Sequence, residues 1–115
     1  MKTTAIDYHQ QRRGNCAQSV VYAWNLKTQD SRNSEETFAA CGGGRAPGGL
    51  CGAVYASCEL AGANAAIIKQ FFAEKTGGFL TCRDIRMTKK MACSECVGVA
   101  AELLEKHVTP DKQGR

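Results

Sequence analysis

The stretch Asn15-Cys16-Ala17-Gln18-Ser19-Val20-Val21-Tyr22-Ala23-Trp24-Asn25-Leu26-Lys27 reads as one amphipathic helix. Ala17, Val20, Val21 and Trp24 occupy the i, i+3, i+4 and i+7 positions of a single apolar face. Asn15 is suited to cap its start, because a short side-chain oxygen can accept one of the N–H groups a helix leaves unpaired there. The stretch from Cys93 repeats the pattern near the other end of the chain. Val97, Ala100, Ala101, Leu104 and Val108 make its buried face, and Pro110 follows its end. No segment between the two shows sustained alternation with β-branched residues. The expected fold is therefore all-α: a compact single-domain bundle of about five short helices joined by glycine-rich loops.

The rest of the chain fits that frame. Thr4 to Arg12 predicts a short helix that ends at Gly14, and Thr28 to Arg32 a polar loop. Asn33 followed by Glu36 resembles a capping box that opens a short helix through Phe38, stopped at Gly42. GGGRAPGGL, residues 42–50, excludes regular structure. A helix then opens near Cys51 and runs to about Leu60, punctuated by Gly62 and Asn64. Ile67, Ile68, Phe71 and Phe72 form the apolar stripe of another, which Gly77 and Gly78 end, and a short element follows around Cys82 to Ile85. Residues 1–108 are expected to form one cysteine-rich domain, and residues 109–115 a flexible tail. There is no internal repeat.

Composition excludes several classes. At 115 residues the chain has room for one domain, and 43% apolar with 23% charged residues is ordinary for a globular one. No apolar run approaches the roughly 18 residues a membrane span requires. The net charge of +4 is mild and scattered, which argues against a nucleic-acid partner. The N-terminal residues have no apolar stretch, and Arg12-Arg13 is not followed by the long apolar region of a twin-arginine signal, so a cytoplasmic location is expected.

The anomaly is seven Cys. An odd number in a reducing compartment speaks against a disulfide framework and for a metal, a cluster, catalysis or burial. No Cys-x-x-Cys-His motif is present, which excludes covalent c-type haem. Cys93-x-x-Cys96 is the one Cys-x-x-Cys pair, and no second completes a zinc ribbon. His9 and His107 are not spaced for a Cys₂His₂ site.

Placement of the cysteines on the helices is more informative. Cys16, Cys51, Cys82 and Cys93 each fall in the first turn of a predicted helix. Helix starts present free N–H groups and partial positive charge, which favour thiolates and anionic centres. Four of them converging would suit an iron–sulfur cluster, whose common ligand set is four Cys. They would also suit low-pKa thiols in a thiol–disulfide redox protein, with Cys93 and Cys96 as the local pair or Cys16 and Cys51 as the long-range one. A structural zinc module is the third possibility. The competing role for any of these thiols is core packing, since free Cys is among the most buried residue types. That role fits Cys41, Cys58 and Cys96 best, with Cys58 and Cys96 as spare ligands and Cys41 as a supporting thiol in the alternative. Residues 42–49 lack the Gly-Lys-Ser/Thr ending of a phosphate loop and follow a helix rather than a strand. Arg45 there reads as solvated, with neutralisation of a negative cluster as the alternative. His9 reads as a surface residue, His107 as a favourable charge at a helix end, Trp24 and the Phe pair as core, and Lys89-Lys90 as a solvated charge run.

These residues also carry a likeness. Arg13-Gly14-Asn15-Cys16-Ala17-Gln18-Ser19-Val20, the glycine loop leading to Cys51-Gly52-Ala53-Val54, Cys82-Arg83-Asp84, and Cys93 with its following helix resemble the redox-active cysteine proteins of the C_GCAxxG_C_C family. The resemblance covers nearly the whole chain and maps the family's four characteristic cysteines onto Cys16, Cys51, Cys82 and Cys93. It departs at Ala56, where the pattern has glycine; Cys41, Cys58 and Cys96 are additions to it. The resemblance implies a small helical prokaryotic protein of redox or metal-related systems. A similar region of split-Soret cytochromes accompanies an iron–sulfur centre, which implies a cluster of the 2Fe–2S type as cofactor. A redox partner protein is then expected, and a homodimer is the favoured assembly.

Overall fold

The computed structural model describes residues 1–28, 35–42, 45–88 and 91–108. Asn33 of the expected capping box, most of the loop after Thr28, Gly43, Gly44, Lys89, Lys90 and the tail 109–115 lie outside the described residues. Among the described residues the architecture is an all-α bundle of six α-helices: α1 (Lys2–Gln10), α2 (Cys16–Thr28), α3 (Gly52–Ala61), α4 (Ala65–Thr76), α5 (Cys82–Thr88) and α6 (Cys93–His107). Single 3₁₀ turns at Glu35–Phe38, Pro47–Gly49 and Gly62–Asn64 serve as connectors. Among the described residues no helix is long and apolar enough to cross a membrane.

Helix α2 occupies the centre, touching α1, α3 and α6, while α4 packs on α3 and α6 from the other side. The buried faces of α2, α3 and α6 are rich in small residues, among them Ala17, Ala53, Ala56, Ala100 and Ala101, all fully buried. Small side chains let helix backbones come close, and Val20, Val21, Val54, Val97 and Leu104 fill the space between. The departure at Ala56 lies inside this core: its methyl group packs there and does not line the cysteine cavity described below. The apolar stripe of α4 divides. Ile68 and Phe72 are fully buried, whereas Ile67 is exposed and Phe71 is half-buried, stacked on the His107 ring at 4.8 Å.

Three local devices place the helix starts. The cap expected at Asn15 forms as a reciprocal pair. Its Oδ1 accepts from the Gln18 N–H at 2.8 Å, and Gln18 Oε1 accepts from the Asn15 N–H at 2.9 Å. The same two side chains donate to the carbonyls of Phe38, Ala39 and Glu35, tying the 3₁₀ turn to the start of α2. The second device ends α4. Gly77 adopts a left-handed conformation (φ 79°), and the buried Thr76 hydroxyl accepts from the Phe79 N–H at 3.0 Å, which turns the chain back across the bundle. The third is a single antiparallel bridge between Leu50 and Thr81, with the Cys51 N–H donating to the Leu80 carbonyl at 2.9 Å. It pins Leu50 and Cys51, the two residues before α3, beside Leu80 and Thr81, the two before α5. Thr81 then caps α5, its hydroxyl accepting from the Asp84 N–H at 3.2 Å. Ile85 is the one buried residue of α5.

Candidate cysteine site

The bridge and the caps bring the starts of α2, α3, α5 and α6 to one end of the bundle. There they enclose a cavity of about 640 Å³ lined by Cys16, Cys51, Cys82, Cys93 and Cys96. The four cysteines singled out at predicted helix starts thus share one cavity, and Cys96 joins them from the second turn of α6. Ile85 and Met91 supply apolar wall, and among the described residues Arg86 and Glu95 are the charged ones that line it. Cys16, Cys51 and Cys96 form the buried floor, at 4%, 4% and 2% exposure, while Cys82 is half-buried and Cys93 exposed. None of the seven cysteines forms a disulfide.

The floor is a hydrogen-bonded set of thiols. Cys51 is held well above its ordinary thiol value, first by its hydrogen bonds with Cys16 and Cys96 and then by burial. Cys93 is raised in the same way, first by its hydrogen bond with Cys16 and then by burial. Cys96 moves the other way, lowered chiefly by the hydrogen bond it receives from Cys51. Helix starts alone predict thiolates at all four positions. The structure departs from that at Cys51 and Cys93, because several thiols crowded into one cavity cannot ionise together without a compensating cation. A bound metal centre would supply that cation and reverse the preference, since coordination deprotonates a thiol outright. The donor set therefore has the chemistry of a thiolate-ligated centre. As the side chains stand, among the described residues no three His, Cys, Asp or Glu are gathered tightly enough to hold one metal ion.

Close packing of α3 on α2 is needed for this arrangement. Gly52 is the first residue of α3, and a Cβ built on it would lie 2.5 Å from Cys16 Sγ and 2.7 Å from the Cys41 carbonyl oxygen. The glycine after Cys51 is thus what lets the Cys16 sulfur sit against the start of α3.

The other candidates fall elsewhere. Cys58 is buried on the far part of α3, its thiol 3.8 Å from the Ala65 carbonyl, and burial raises it. Cys41 is half-buried; its carbonyl abuts Gly52, but its side chain does not line the cavity. Arg45 is exposed, its guanidinium donates to the Gly42 carbonyl at 3.2 Å, and it does not line the cavity. His9, read as a surface residue, is half-buried instead. Its Nε2 lies 3.4 Å from Cys93 Sγ, because α1 packs along α6 and carries the imidazole to the cavity rim. No spacing in the sequence links residue 9 to residue 93; only the α1–α6 contact does. Compared with protein-family models, curated proteins and solved structures, the chain matches none.

Proposed function

We propose that this protein is a redox protein that carries an iron–sulfur cluster on Cys16, Cys51, Cys82 and Cys93 and passes electrons to a partner protein. One observation carries the reading: four cysteines from four separate helix starts line a single, partly buried cavity. The ligands of a polynuclear cluster are divided among several irons and stand further apart than those of one zinc. Among the described residues no three donors are gathered tightly enough for one metal ion, which accords with that better than with a mononuclear structural zinc site. The 2Fe–2S type follows from the resemblance to the C_GCAxxG_C_C family. When bound, the cluster supplies a one-electron couple; the chain's part is to hold it with the four thiols and to exclude water with Ile85 and Met91. Arg86 at the rim offsets the negative charge of four thiolates. A cytoplasmic, reducing location keeps the thiols available.

The test is a visible absorption spectrum of protein purified without oxygen and reconstituted with ferrous iron and sulfide. Sulfur-to-iron charge-transfer bands that bleach with dithionite are expected. A protein that stays colourless after reconstitution refutes the cluster.

A metal-free thiol–disulfide protein is the second reading, favoured by the hydrogen bonds among the floor thiols. Cys16 and Cys51, one of the two pairs considered from sequence, are in direct contact, and Cys16 also reaches Cys93. Joining two of these sulfurs releases two protons and two electrons, the electrons passing to a disulfide that is reduced in exchange. Thiol counting before and after treatment with the thiol oxidant diamide finds two thiols fewer if this reading holds, and an unchanged count ends it.

A further inference from the structure

Helix α5 is a wall with two sides. One side, with Ile85, lines the cysteine cavity; against the other lies a second cleft of about 840 Å³, bordered across from the helix by Gly48 and Gly49. Cys82 and Arg86 line both spaces, so the cleft comes within one side chain of the proposed centre. Arg83 and Arg86 are exposed there, and among the described residues neither is in an ion pair. Asp84 is the one acid among the described residues that line the cleft. Met87, 68% exposed, is the most solvent-accessible of the large apolar side chains described. In sequence, residues 82–90 carry Arg83, Arg86, Lys89 and Lys90 against Asp84 alone. The charge of the chain is mild in sum, yet this segment concentrates it. The cleft beside Cys93 is smaller, about 490 Å³, and offers one arginine, Arg12.

We propose that the outer face of α5 is the docking surface for the redox partner, and that the partner is an acidic protein whose carboxylates meet Arg83 and Arg86 around Met87. The inference rests on the iron–sulfur reading above. An electron passes between two proteins only where they come close, and such encounters are small in area and steered by charge. The α5 face meets both needs: unpaired positive charge surrounds an exposed apolar side chain, and Cys82 stands directly behind it. An apolar centre with a charged rim is also the ordinary anatomy of a protein–protein contact. A nucleic-acid backbone is the poorer occupant, because Asp84 within the cleft repels phosphate. The transfer itself moves one electron from the reduced centre to the partner's acceptor; no bond forms or breaks and no proton is required.

The probe is cytochrome c with its lysines succinylated, an acidic redox protein, and native cytochrome c is its basic counterpart. First, the iron-free full chain is titrated at low salt with each probe in the ferrous form and followed by amide chemical shifts. Shifts are expected on α5, strongest at Arg83 and Met87, with the acidic probe only. They vanish at about 0.5 M salt, where charges are screened beyond a few ångströms. Second, the chain is reconstituted with ferrous iron and sulfide, reduced with dithionite, freed of the excess and mixed with each ferric probe. The acidic probe is expected to be reduced about tenfold faster than the native one at low salt. Arg83→Glu slows that reaction about fivefold with unchanged iron content, whereas Lys69→Glu on α4, an equal change in net charge, alters it less than about twofold. Arg83 and Lys69 are both exposed, and circular dichroism establishes that each variant is folded. Should Arg83→Glu not fold, the wild-type shift map and its salt dependence decide alone. Shifts that fall away from α5, equal rates with the two probes, or an equal loss in Lys69→Glu overturn the docking surface. Shifts on α5 in a chain that takes up no iron refute the cluster and leave the acidic partner standing, so the two failures are distinct.

Discussion

Replacing Gly52 by alanine tests the packing that sets the site. The added methyl would stand 2.5 Å from Cys16 Sγ, 2.7 Å from the Cys41 carbonyl oxygen and 3.3 Å from the Ala17 nitrogen. Two of these three atoms are backbone and cannot rotate away, and the third is a sulfur buried in the core. Overpacking of this kind costs about 1–3 kcal/mol. The gain in helix propensity from Gly to Ala is at most about 1 kcal/mol and smaller in a first turn. A net loss of about 2 kcal/mol is expected, and at roughly 4 °C per kcal/mol for a domain of this size the melting temperature falls by about 8 °C. Gly98→Ala is the control. Its methyl meets Ile6 Cδ1 at 2.7 Å, Ile6 Cγ1 at 3.2 Å and Lys2 Cε at 3.4 Å. These are ends of flexible side chains, so this variant is expected within about 1 kcal/mol of wild type. Thermal melts followed by circular dichroism decide the matter, with iron uptake as a second readout that only Gly52→Ala reduces. Equal melting temperatures for Gly52→Ala and wild type, or a larger loss for Gly98→Ala, would refute the view that α3 is seated against the Cys16 sulfur.

Asn15→Ala removes the α2 cap together with two donations to the Phe38 and Ala39 carbonyls, so a loss of about 2 kcal/mol is expected in urea unfolding. Asn15→Asp, which keeps the cap acceptor but not the donors, should fall between that variant and wild type. Cys58→Ala is expected to leave iron uptake and the visible spectrum unchanged while lowering stability by about 1 kcal/mol, because its thiol packs against the Ala65 carbonyl and not in the cavity. Glu105 is held below the ordinary carboxylate range, first by its hydrogen bond from Lys27 at 2.9 Å. A lowered folded-state value means stability that is complete well above the unfolded value of about 4.3 and lost as pH falls through the folded one. The advantage of wild type over Glu105→Gln should therefore vanish on acidification and, for so exposed a pair, not exceed about 1 kcal/mol at neutral pH in denaturant titrations.

The all-α class and most helix limits were legible because their signals are local. Asn15 three residues before Gln18 is a cap whatever surrounds it, and Gly77-Gly78 ends a helix by backbone conformation alone. Placement of four cysteines at helix starts was legible for the same reason. Their meeting was not, because it depends on a bridge between Leu50 and Thr81 too short to leave any periodicity. Cys96 stayed open between core and ligand for a related reason. Its direction follows from how α6 rotates to bury Val97, Ala100 and Leu104, which is decided by α2 and α3. His9 was hidden further, since its partner is on the last helix. Ile67 shows the reverse failure: periodicity placed it on the buried stripe, but α4 packs on one side only and leaves it in solvent.

The sulfurs around the cavity come from residue 16 to residue 96, most of the length of the chain. Anything that bonds to all of them at once closes a series of loops that the unfolded chain would otherwise leave open. In the chain-entropy picture each closed loop of about 15 residues removes roughly 3 kcal/mol of unfolded-state freedom, and longer loops remove more. Filling the cavity is thus equivalent to installing several removable crosslinks in a protein that contains no permanent one. Resistance to unfolding would then gauge occupancy: chains whose cavity is unfilled would open first, and so would be the ones a protease finds.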